Sequence, residues 1–137
     1  MTIFISDYGM LVIIDGELWS NYIRGNFSKI DQGIHHEKII YIANKEHILT
    51  DAGNVFRLDF GRESMELIKI ENFENIENMG AYCNSILAYS HGKIYYVEYD
   101  NKFVVYNSFL AKIDCQYVYK IVLNFRQAIL LTDTGLW

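Results

Sequence analysis

The sequence predicts an all-β protein of β-propeller-like repeats, about four blade units of short antiparallel strands within a single repeat domain spanning 1–137. Three observations carry that expectation. Apolar runs of three to five residues end at a glycine, a length that suits a buried strand and is too short for a helix. The same pattern occurs four times, with its turn glycines 37, 39 and 43 residues apart, a period proper to propeller blades or helical solenoids. Finally, 11 tyrosines, 8 phenylalanines and no proline among 137 residues favour strands and exclude collagen-like and polyproline readings.

The first unit runs from Tyr8 through Leu11-Val-Ile-Ile14 to Asp15-Gly16 and Trp19. Asp-Gly between two apolar runs marks a two-residue hairpin, because both turn positions need positive φ. The second unit, Lys45 to Phe56, turns at Asp51-Ala-Gly53-Asn54; the third, Asn84 to Tyr95, at His91-Gly92; the fourth, Gln127 to Trp137, at Asp133-Thr-Gly135. Further strands precede the second and fourth units, at Lys38–Ala43 and Tyr117–Leu123, and one follows the third hairpin, at Lys102–Tyr106. Each unit therefore yields three or four strands. The expected buried positions are Leu11, Ile13, Trp19, Ile40, Ile42, Leu49, Val55, Ile86, Ala88, Ile94, Ile129 and Leu131. Residues 21–32 and 72–78 are more polar and read as loops or edge strands. The run Glu71-Asn-Phe, Glu74-Asn-Ile, Glu77-Asn-Met79 has a period of three and reads first as an irregular acidic connection, with a helical turn or two placing Phe73, Ile76 and Met79 on one side as the alternative.

A net charge of −5 and a sequence pI near 5.3 provide no global field to attract nucleic acid. Arg24, Lys29 and Arg126 are isolated cations, open to local phosphate contacts but read first as solvated surface residues. Cys83 and Cys115 are too few for a disulfide framework and lack metal-ligand spacing, so both read as small buried hydrophobes. No run approaches 18 apolar residues, and the amino terminus lacks a cationic signal-peptide region. The expected location is cytoplasmic or nuclear, with no membrane partner.

Motifs for chemistry are absent from the sequence. His35-His36-Glu37, with His47 nearby, invites a metal reading, but adjacent strand residues point to opposite faces, and the zinc-protease spacing fails at Ile40. That segment reads as a solvated loop. Asp15, Asp51 and Asp133 recur at one place in the repeat, which turn geometry explains better than a catalytic or calcium set. Trp19, Phe56 and Tyr95 recur as core aromatics. No nucleophile elbow, phosphate loop or dinucleotide fingerprint occurs.

The segments Asn84-Ser-Ile-Leu-Ala-Tyr-Ser-His-Gly-Lys-Ile-Tyr95 and Gln127-Ala-Ile-Leu-Leu-Thr-Asp-Thr-Gly135, with Ile39-Ile-Tyr-Ile-Ala43 as a leading strand, resemble the repeat of the regulator of chromosome condensation family. The departures are specific. Tyr8, Lys45, Asn84 and Gln127 stand where that repeat has histidine, Leu58 and Val97 replace its tryptophan, and only Gly80-Ala81 preserves its small-residue cluster. The resemblance implies an incomplete propeller, its ring open or closed only with a partner. Four units fall short of the family's seven-bladed ring, and the chain starts and stops within a unit. A partner, a second copy or further chain is therefore expected to cover at least one strand edge.

The function expected is that of a non-catalytic protein-interaction module, without cofactor, metal or small-molecule substrate. Its contact residues would be the polar loop positions Asn21, Arg24, His35, His36, Asn54, Arg62, His91 and Asn101. The alternative is a component or regulatory factor of a large assembly such as the ribosome, docking on a ribonucleoprotein particle. The resemblance also raises guanine nucleotide exchange on a small GTPase, for which no exchange loop is identifiable.

Overall fold

A computed structural model describes residues 2–6, 9–22, 25–30, 37–44, 46–60, 65–70, 73–99, 105–112 and 115–137. These residues form 15 strands and no helix; no helix among them is long and apolar enough to cross a membrane. The chain divides into two compact units, Met1–Lys69 and Ile70–Trp137. Each unit holds two antiparallel sheets in which strand order follows chain order.

In the first unit one sheet comprises β1 (Thr2–Ser6), β2 (Gly9–Ile14), β3 (Glu17–Ser20) and β4 (Ser28–Lys29). The other comprises β5 (Ile39–Ala43), β6 (His47–Thr50), β7 (Val55–Phe60) and β8 (Met65–Lys69). At the β2–β3 turn Asp15 (φ 52°) and Gly16 (φ 78°) both adopt the left-handed conformation between paired Ile14 and Glu17, the two-residue geometry that matches strand twist. Leu11, Ile13, Leu18 and Ile30 of the first sheet pack against Ile39, Ile42, Ile48, Phe56, Leu58 and Met65 of the second. The Gly16 carbonyl joins the two sheets by accepting the Ile39 N–H at 2.9 Å.

In the second unit one sheet comprises β9 (Asn78–Tyr82), β10 (Ser85–Ser90), β11 (Lys93–Tyr99) and β12 (Val105–Lys112). The other has three strands, β13 (Val118–Leu123), β14 (Ala128–Thr132) and β15 (Gly135–Leu136). Leu87, Tyr89 and Ile94 pack against Ile121 and Leu130. The first strands of these two sheets run side by side. Asn78 Nδ2 donates to the Val118 carbonyl at 2.9 Å, and a Cβ on Gly80 would stand 2.9 Å from the Ile121 carbonyl oxygen. The small-residue pair of the sequence thus lets two backbones approach more closely than any side chain would permit.

Of the expected core, Leu11, Ile13, Ile42, Leu49, Val55, Ile86, Ala88 and Ile94 are buried and Trp19 is half-buried. Three expectations are corrected. Ile40 is 53% exposed because the β5–β6 register shifts between Ile39 and Tyr41; the extra residue points outward, and Ile39 and Ile42 turn inward instead. Ile129 and Leu131 are 41% and 47% exposed, whereas Leu130 between them is buried. One face of β14 meets the neighbouring sheet and its other face, with Val122 and Leu136, is open. The described part of the acidic connection, residues 73–77, has no regular structure, yet it buries Phe73 and Ile76.

Candidate functional site

Two of the recurring turn acids, Asp51 and Asp133, fasten their hairpins to the residues that lead into the first strand of the same sheet. Asp51 Oδ1 accepts the Lys38 N–H at 2.9 Å, and the Asp51 N–H returns to the Lys38 carbonyl at 2.8 Å. Asp133 Oδ1 accepts the Gln116 and Tyr117 N–H groups, each at 3.1 Å, and the Asp133 N–H returns to the Tyr117 carbonyl. In the sheet of β9–β12 the polarity is reversed, with the His91 N–H donating to Glu77 Oε2 at 2.6 Å. A buried hydroxyl precedes the turn in all three. Thr50 Oγ1 donates to Glu37, Ser90 Oγ to the Asn75 carbonyl and Thr132 Oγ1 to the Gly135 carbonyl. These groups close turns, as their sequence position implied.

The loop residues expected to contact a partner divide accordingly. Asn21 Oδ1 accepts the Met10 N–H at 2.8 Å and so closes the β2–β3 hairpin. Asn54 Nδ2 donates to Glu37 Oε1, which also accepts the Thr50 hydroxyl. His91 is exposed and occupies, with Gly92, a turn like that of Asp15-Gly16. Arg24, His35, His36, Arg62 and Asn101 lie outside the described residues, as does the first unit's Tyr8. Lys29 forms an ion pair with Glu17 at 2.6 Å. His47, near the paired histidines in sequence, is fully buried in β6. Burial first, and the Arg57 guanidinium second, lower its pKa to about 4, so it is a neutral core residue at pH 7.

A cleft of about 430 Å³ opens in the second unit between the β9–β10 and β13–β14 turns. That size falls within the usual range for ligand sites. Leu87, Leu123 and Ala128 supply its aliphatic lining and Tyr82, Tyr96 and Phe125 its rings; Cys83, Ser85, Asn124, Arg126 and Gln127 complete it. Parallel alignment of β9 with β13 brings the two turns together. The β13–β14 turn is ordered by Asn124, whose Oδ1 accepts the N–H groups of Arg126 and Gln127, both at 2.8 Å. At its tip Phe125 is 71% exposed, and the Arg126 guanidinium lies over its ring at 5.0 Å, a cation–π distance.

Tyr96 Oη bonds both Ser85 Oγ at 2.9 Å and Glu98 Oε1 at 2.8 Å. With a single proton, the phenol gives it to the carboxylate, an acceptor only, and the Ser85 hydroxyl bonds to it in turn. The Ser85 bond favours the phenolate, but burial and the Glu98 carboxylate outweigh it and hold the Tyr96 pKa above its ordinary value. Tyr96 therefore remains a neutral hydroxyl on the cleft wall. Cys83, expected to be buried, is exposed in the β9–β10 turn with φ 52°, and Cys115 is half-buried. The turn faces Cys83 outward where an apolar sequence context suggested the core.

The cleft residues are suited to recognition: ring faces, one guanidinium and side-chain amides. Sequence reasoning singled out Arg126 as an isolated cation and missed Tyr82, Tyr96 and Phe125 as a group. The available signal was an aromatic–arginine pair at a hairpin tip. Comparison with protein-family profiles, curated proteins and solved structures finds no match for this chain.

Proposed function

We propose that the protein is a non-catalytic protein-interaction module built from propeller-type repeats. The observation that carries this reading is the repetition itself. Four antiparallel meanders follow the four sequence units, and three share a turn fastened to the leading strand of the same sheet. Each sheet holds its connecting turns on a paired scaffold, and recognition on repeat scaffolds resides in such turns. The resemblance to the regulator of chromosome condensation repeat agrees with this reading, as does a cleft framed by two turns. The test is native purification of the tagged full chain with identification of stoichiometric partners by mass spectrometry. A reproducible protein partner, lost when turn residues are substituted, is expected. A monodisperse, partner-free protein with measurable turnover would overturn the reading.

A further inference from the structure

The geometry points to a ligand for the cleft between the β9–β10 and β13–β14 turns: an extended peptide segment in which an acidic residue neighbours an aromatic one. This inference rests on the interaction-module reading and specifies what is recognised. Charge is the first argument. The chain carries 17 acidic against 12 basic side chains, yet among the described residues the cleft is lined by Arg126 and by no carboxylate. Glu98, outside that lining, is exposed, and its carboxylate accepts the Tyr96 phenol. An anionic group entering the cleft meets the Arg126 guanidinium, a local cation on a chain of net charge −5.

Preorganisation is the second argument. Arg126 rests on the Phe125 ring, and the backbone at Arg126 and Gln127 is tied to Asn124. A guanidinium stacked on a ring keeps its planar fork of donors available to a carboxylate and loses less freedom on binding than a free side chain. Beside it, Tyr82, Tyr96 and Leu87 line the cleft with aromatic and aliphatic groups, which suits an aromatic side chain. A nucleic-acid strand fits less well. It brings a phosphate with every nucleotide, and strand-binding grooves track that backbone with several cations, whereas the described residues lining this cleft include one.

The experiment uses the full chain and a fluorescein-labelled, capped dodecapeptide with aspartate–phenylalanine–aspartate at the centre of a glycine–serine background. Fluorescence anisotropy is expected to show saturable binding, weakened about tenfold or more by Arg126→Gln or Phe125→Ala, as for an interface anchor. Replacing the peptide aspartates with lysine is expected to abolish binding. Bound peptide should also slow alkylation of the exposed Cys83 thiol on the cleft wall. Thermal unfolding of each variant verifies that a loss is local. The assignment is overturned by unchanged affinity of Arg126→Gln, by equal binding of the lysine peptide, by tighter binding of an oligouridylate of the same length, or by no saturable binding. If Arg126→Gln keeps its partner in native purification, the cleft assignment falls while the module stands; if the parent chain is partner-free and shows measurable turnover, the module reading falls.

Discussion

A Cβ placed on Gly16 would stand 2.6 Å from Cβ of Lys38. Gly16 also has φ 78°, so a side chain there meets both backbone strain and a clash with the neighbouring sheet. Gly92 has nearly the same φ, 77°, with nothing within 4 Å of its virtual Cβ. Gly16→Val is expected to cost about 3 kcal/mol, and Gly92→Val about 1–2 kcal/mol, from strain without overpacking. Urea unfolding of the two variants gives the difference, and equal losses would contradict the close contact.

The Asp51 carboxylate holds the Lys38 N–H, and the Asp133 carboxylate the Gln116 and Tyr117 N–H groups, each just before a leading strand. These bonds are exposed, so Asp51→Ala and Asp133→Ala are expected to lose about 1 kcal/mol each. Asp51→Asn keeps an acceptor oxygen and should lose less than half of that. Chemical denaturation of the three variants checks the ranking.

His47 makes stability depend on pH. Its folded pKa, about 4, lies below the ordinary 6.5, so on acidification the unfolded chain takes up a proton before the folded one. The associated stability is complete above about pH 6.5 and is lost as pH falls toward 4. Between pH 7 and pH 5 the loss is about 2 kcal/mol. Urea midpoints at these two pH values should separate in the parent protein and converge in His47→Leu, whatever the absolute stability of that variant.

Gly80→Ala should separate β9 from β13, because its Cβ would meet both the Ile121 carbonyl and its side chain at 2.9 Å. A cost of about 1–3 kcal/mol is expected. The altered spacing of the two turns should also change the alkylation rate of Cys83, which a uniform loss of stability in a still-folded protein would not do.

The hairpins were the most legible part of the molecule. Asp15-Gly16 carries its own conformational demand, and the four turn glycines all have positive φ in the structure. Burial was less legible where strands bulge. Ile39, Ile40 and Tyr41 are chemically alike in sequence, and only the shifted register with Thr50 and Leu49 decides which faces inward. In the run of residues 128–131, apolar throughout, no alternation marks a face, so the exposure of Ile129 and Leu131 depends on what the neighbouring sheet covers. The cleft was least legible. It joins turns about 40 residues apart in the sequence, and that juxtaposition depends on Gly80 fitting against Ile121.

Because strand order follows chain order in every sheet, each strand pairs only with strands adjacent to it in sequence. The first sheet completes its pairing between Thr2 and Lys29, without any strand waiting for a distant one. Loop-closure entropy is therefore small at each step, and topologies of short-range pairing fold quickly for β-structures. During synthesis the sheets can form in the order in which they emerge from the ribosome, each offering its apolar face to the next within a unit. The meander thus limits how long an unpaired edge is exposed while the chain is being made.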